Sequence, residues 1–236
     1  MPNVQVESVD SAFENFHPHS MIYGFNGTGK TSLAALSGLR TLHLALPDAG
    51  LATLRHANSK KVRIIRIKSI LHFLDALEKA QKLMSQIDLL VVDTVTGLQS
   101  MAIREVKGRR NFEMNQRKWG AVSSRVIECI SETSAFPKDV IYLAQEKRKR
   151  TQDDDGNDID EITSSLQPAT REFLSGRVDW VGRIYIDSDD KRKLSFILSD
   201  SMEAKDRGNV FPKIITLGSK PPYPQMRERI MHYING

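Results

Sequence analysis

A mostly parallel α/β sheet covered on both faces is the fold class this sequence predicts, and two observations predict it. One is the glycine-rich stretch Gly24-Phe-Asn-Gly-Thr-Gly-Lys-Thr31, set between a short apolar run and a helical pattern. The other is the recurrence of short apolar runs separated by helical periodicity or polar loops. Residues 20–23 read as the strand before the glycine-rich stretch. Residues 30–39, ended by Gly38 and Arg40, read as the helix after it. Short apolar runs at 42–46, 62–67, 88–93 and 140–145 are expected to be further strands. Helices are expected at 69–84, with Ile70, Leu71, Phe73, Leu74 and Leu77 on one face, and at 118–133. After Asp179 the runs 180–187, 194–199 and 212–217 alternate with polar turns, which predicts antiparallel strands added to one sheet edge and a β-rich final third. Residues 146–163 combine KRKR with DDDGNDIDE, have no apolar face and are expected to form a mobile charged loop.

With 236 residues, 40% apolar and 27% charged, the chain suits one generous domain over 1–236, of which 1–19 is an N-terminal extension. Cys129 is the single cysteine, so no intramolecular disulfide or cysteine-rich metal site is available, which suits a reducing compartment. The first residues contain no basic leader, and no apolar run approaches the ~18 residues of a membrane span. A soluble cytoplasmic protein without a membrane partner is therefore expected. The formal charge of +5 mildly favours a polyanionic partner.

The glycine-rich stretch has the spacing of a P-loop. Gly24, Gly27 and Gly29 allow backbone angles that turn successive amides inward, and the amides from Phe25, Asn26 and Thr28 through Ser32 surround phosphates at a helix start. Lys30 is expected to reach the β and γ phosphates. Thr31 offers a hydroxyl to Mg²⁺, which prefers oxygen ligands. Asp93 ends the apolar strand Leu-Leu-Val-Val-Asp and is expected to hold a metal-bound water from the strand tip. Two strand-end residues are candidates for the catalytic group that orients the attacking water or senses the terminal phosphate. Asp48 lies in the turn Pro-Asp-Ala-Gly, where it is equally well read as a turn former, and Gln145 follows Val-Ile-Tyr-Leu-Ala. His17 and His19 bracket Pro18 and read as a loop leading to the first strand. No Asn-Lys-x-Asp base-reading motif is present, which argues against a GTPase.

The order of these motifs resembles the RecA-like ATPase core, and within it the phage Sak-type single-strand annealing ATPases, over residues 20–208. The resemblance rests on GFNGTGKT, the Asp93 strand and AKDRG. It implies a RecA-like P-loop NTPase fold, ATP and Mg²⁺ as cofactors, ATP-dependent binding and annealing of single-stranded DNA, and a homo-oligomer, ring or filament. A single-strand-binding protein is a further implied partner, and the host cytoplasm the setting for a phage-encoded chain. Family members commonly place a glutamate where this chain has the shorter Asp48. Lys205 and Arg207 match the Lys-x-Arg finger that such proteins insert into a neighbour's ATP site; a solvated charged turn is the alternative. Lys147, Arg148, Lys149 and Arg150 occupy the place of a DNA-binding loop. Lys107, Arg109 and Arg110, near Phe112, Arg117 and Trp119, form a second DNA-binding candidate, or else a solvated loop with Trp119 anchoring a helix. A P-loop small-molecule kinase and a nucleotide-switched DNA binder with negligible turnover are the competing functional readings.

Overall fold

In the computed structural model the described residues are 8, 16–56, 60–108, 113–152, 156–199, 201–218 and 222–235. The apolar runs become strands β1 (His19–Gly24), β2 (Thr41–Ala45), β3 (Val62–Arg66), β4 (Leu89–Asp93) and β5 (Asp139–Gln152). They are followed by β6 (Asp158–Ser164), β7 (Trp180–Ile186), β8 (Arg192–Ser195), β9 (Lys205–Asp206) and β10 (Ile214–Thr216). The strand order is β10-β8-β7-β1-β5-β4-β2-β3, with β6 on β5 and β9 on β7. From β7 through β3 every neighbouring pair along this order is parallel, whereas β8, β9 and β10 are antiparallel additions. The expected sheet class is borne out, and Trp180–Ile186 belongs to its parallel part. Every residue of β1, β2 and β4 is buried, and β4 accordingly is a continuous apolar run up to Asp93.

Among the described residues, six α-helices cover the sheet: α1 (Lys30–Ala35), α2 (Ile70–Lys82), α3 (Val95–Lys107), α4 (Gln116–Ser134), α5 (Pro168–Arg177) and α6 (Pro222–Asn235). Phe73 and Leu77 of α2, Leu98 of α3, Val126 of α4 and Leu174 of α5 pack on one face against Leu44, Val92 and Tyr142. Burying a ring such as Phe73 contributes about 2–3 kcal/mol. On the other face, Leu33 of α1 and Met226 and Ile230 of α6 join Ile22, Val91 and Trp180. Among the described residues, no helix is long and apolar enough to cross a membrane.

Several local expectations change. Leu71 is 68% exposed, because it points about 100° away from Ile70 and off the buried stripe. The helix expected over 30–39 stops at Ala35. Helices α3, α5 and α6 were not anticipated, and α6 makes the final third less β-rich than expected. His19 lies within β1, while His17 stands 3.5 Å from the Asp139 carboxylate.

The largest correction concerns 146–163. Instead of a loop, β5 continues to Gln152 and pairs antiparallel with β6. The register sets Lys149 across from Glu161 and Arg150 across from Asp160, so the basic and acidic runs are the two halves of one ribbon. Ile162 anchors the ribbon by packing against the core. Residues 153–155 lie outside the described residues.

Just before β2, Arg40 donates through Nε and Nη2 to Asp88, just before β4. That pairing holds the Asp88 carboxyl down at about 2 against partial burial. A depressed folded-state pKa stabilises above the unfolded value and loses that contribution as pH falls through the folded value. Asp88→Asn should therefore cost about 0.5–1 kcal/mol at pH 7, a figure already reduced for solvent screening of this half-exposed pair. Urea unfolding should show the gap from wild type closing as pH drops from about 4 to about 2. A gap independent of pH would contradict this.

Candidate functional site

β1 brings Gly24 to the carboxyl edge of the sheet, in register with Gln145 of β5. A Cβ at Gly24 would overlap the Ile184 carbonyl oxygen of β7, so only glycine lets the chain leave between its two parallel neighbours. Gly27 and Gly29 then take φ of 81° and 99°, the left-handed region that glycine enters freely. Thr28 closes the loop by donating through Oγ1 to the Phe25 carbonyl at 2.8 Å. Gly29 starts α1 with no side-chain cap, leaving first-turn amides without a side-chain acceptor.

Lys30 folds back into this loop. Its Nζ donates to the carbonyls of Gly24 (2.7 Å) and Phe25 (2.8 Å) and to Gln145 Oε1 (3.2 Å). Burial lowers its pKa from the ordinary lysine value, opposed by the charges of Asp93, Asp48 and Glu146.

β4 delivers Asp93, only 1% exposed. Its Oδ2 accepts from Thr31 Oγ1 at 2.8 Å and lies 2.9 Å from Nε2 of His43, a fully buried residue of β2. The next residue, Thr94, donates through Oγ1 to Asp48 Oδ2 at 2.6 Å and accepts from the Gly97 amide at 2.9 Å, capping α3. Asp48, which follows β2, is thereby fixed beside the Asp93 strand tip. Gln145 is fixed as well: its amide donates to Thr96 Oγ1 (2.9 Å), and its carbonyl accepts from Ser165 (2.7 Å). The loop, Asp48, Asp93, Thr94 and Gln145 wall a cleft of about 170 Å³, with Arg192 of β8 at its far side.

The structure thus assembles Gly24 to Ser32 with Asp48, Asp93 and Gln145. Lys205 and Arg207 stand elsewhere. β9 pairs with β7 at Val181, beside the start of β1 and away from Gly24. Lys205 Nζ there donates to the Ser175 and Val178 carbonyls at the end of α5, and Arg207 contacts Asp179 at 3.3 Å. Of the ribbon cations, Arg148 donates to the buried Glu146 and lies over the Phe25 ring at 4.7 Å, while Arg150 is 3.4 Å from Asp158. Lys147 and Lys149 are exposed. Lys107 ends α3, Trp119 packs against the core, and Arg109 and Arg110 lie outside the described residues.

Four contributors escaped sequence reasoning: His43, Thr94, Thr96 and Arg192. His43 sits inside an apolar run and read as core. Arg192 sits in the polar segment after Asp187. Thr94 and Thr96 did carry a signal, as hydroxyls directly after a strand-tip acid where a helix begins.

A family model described as an AAA domain matches residues 18–208. The chain belongs to the AAA domain family. This AAA-domain chain has the fold of a P-loop ATPase. Among solved structures it is similar to a KaiC-like protein from the hyperthermophilic archaeon Pyrococcus horikoshii OT3, at 14% identity over 86% of each chain with a TM-score of 0.47. No protein in the curated comparison matches.

Gly97 offers a test of how tightly this AAA-domain site is packed. A Cβ there would overlap Asp48 Oδ1 and stand 2.9 Å from Leu46 Cβ. Replacing a helical glycine with alanine normally stabilises by about 0.5–1 kcal/mol. Gly97→Ala should do the reverse, lowering the unfolding free energy by about 1–2 kcal/mol as Asp48 is pushed from Thr94. A stabilised variant in urea unfolding would show that Asp48 is not held as described.

Proposed function

We propose that this protein is a Mg²⁺-dependent ATPase that binds single-stranded DNA and promotes annealing or recombination as a homo-oligomer. The residues present fit Mg-ATP. Inward-turned glycine backbone and Lys30 suit a polyphosphate, and the Thr31 hydroxyl beside the Asp93 carboxylate suits a hard cation. When bound, Mg²⁺ supplies charge neutralisation on the β and γ phosphate oxygens. Lys30 would hold phosphate oxygens in place of its carbonyl partners, while His43 and Thr31 would keep the Asp93 carboxylate oriented. Asp48, with Oδ2 on Thr94 and Oδ1 packed against Gly97, is held beside the Asp93 strand tip as the acid that would orient an attacking water.

The observation that carries the DNA reading is the contact between Lys30 and Gln145 at the foot of the β5–β6 ribbon. Drawing Lys30 toward phosphate frees the Gln145 amide to follow, and Gln145 leads directly into Glu146 and the ribbon cations. Nucleotide and DNA would then each raise affinity for the other. Arg148 and Arg150 are already paired within the chain, so Lys147 and Lys149 are the ribbon's DNA contacts. Two such contacts give a salt slope of roughly −1.4 on single strands. Lys205 is held within the chain by the Ser175 and Val178 carbonyls, so of the Lys-x-Arg pair the exposed Arg207, remote from its own cleft, is the one left to reach a neighbour's site.

ATP turnover measured against protein concentration, with and without single-stranded DNA, tests this directly. The rate per subunit should rise with concentration and with DNA, and Lys30→Ala should lower it about 100-fold or more. A flat rate per subunit, indifferent to DNA and accompanied by phosphoryl transfer to a small acceptor, would identify a kinase instead.

A further inference from the structure

The strand order β8, β7, β1, β5, β4, β2 gives the cleft two distinct ends. Asp93 and Asp48 stand at the β4–β2 end and Arg192 at the β8 end, with the P-loop between them. Two cations line the cleft. Lys30 is satisfied by two carbonyls and Gln145, whereas the Arg192 guanidinium has no hydrogen-bond or ion-pair partner among the described residues. The acids near Arg192 in sequence are engaged by its neighbours: Asp187 lies 3.4 Å from Lys193, and Asp189 3.6 Å from Lys191. Arg192 Nε and Cδ lie 3.3 and 3.4 Å from where a Cβ on Gly29 would stand, so the side chain rests on the point where the loop becomes α1. A guanidinium has five donors and no acceptor, and it matches phosphate oxygens in pairs.

We infer that Arg192 is a phosphate-binding residue supplied by the same chain, donating to the phosphates nearest the nucleoside of a nucleoside di- or triphosphate. This assignment rests on the nucleotide reading above and extends it. The metal-binding acid and Gln145 mark the end of the cleft that takes the terminal phosphate. A cation at the opposite end therefore grips ADP as firmly as ATP, and it retains the product while Gln145 responds to loss of the terminal phosphate.

Calorimetric titration of Mg-ATP, Mg-ADP and Mg-tripolyphosphate into wild type, Arg192→Ala, Arg192→Lys and Lys30→Ala separates the outcomes. Arg192→Ala should weaken all three by about tenfold, and Arg192→Lys should recover part of the loss. Both variants should melt like wild type, because the residue is exposed. Unchanged binding of all three by Arg192→Ala would overturn the assignment. Weakening of ATP alone, or of both nucleotides but not tripolyphosphate, would overturn it as well, by placing the residue at the terminal phosphate or at the base. If Lys30→Ala loses binding while Arg192→Ala does not, only the Arg192 assignment fails. If Lys30→Ala binds like wild type, the nucleotide reading itself fails and this one with it.

Discussion

One oxygen atom ties the fold to the site. Asp93 Oδ2 is buried at the tip of a central strand and is met by a hydroxyl from α1 and an imidazole from β2. A buried carboxylate without partners costs several kcal/mol, so the sheet cannot place an acid there unless the P-loop helix and the neighbouring strand both supply a polar group. The Thr31–Asp93 hydrogen bond fixes both groups relative to each other, which would reduce the cost of ordering the site on binding.

The parallel sheet distributes the remaining chemistry by strand. β1 carries the loop, β5 carries Gln145, and β4 and β2 carry the acids. The antiparallel β8 carries a cation to the other end of the cleft. Glu146 links this edge to the ribbon: its buried carboxylate accepts from Arg183 of β7 and from Arg148, and Arg148 covers Phe25 of the P-loop. A displacement of Gln145 thus meets an ion-pair cluster that touches both the phosphate loop and the ribbon. That cluster is the route along which the coupling proposed above between nucleotide and DNA would run.

Much of this was legible in the sequence because strands buried on both faces leave continuous apolar runs, and because a P-loop needs glycines, a lysine and a hydroxyl at fixed spacing. Residues 42–46 and 88–93 fell on strands for the first reason, 62–67 became the partly exposed edge strand β3, and Lys30, Thr31 and Asp93 fell together for the second. The ribbon was not legible. It is held by backbone pairing of β5 with β6 and by Ile162 reaching the core, neither of which leaves an apolar period. Leu71 shows the limit of apolar counting, since a leucine one residue from a buried isoleucine lies on the outer face of the same helix. His43 and Arg192 act through contacts distant in sequence, with Asp93 and with Gly29, and no local pattern announces them.

The central claim is that a polyphosphate sits on the P-loop with a metal held between Thr31 and Asp93. Calorimetric titration of ATP into wild type and Asp93→Asn, each with Mg²⁺ and with EDTA, tests it most directly. The account requires wild type to bind more tightly with Mg²⁺ and the variant to bind equally with either. Wild-type affinity indifferent to Mg²⁺, or a variant that keeps the full Mg²⁺ effect, would contradict it.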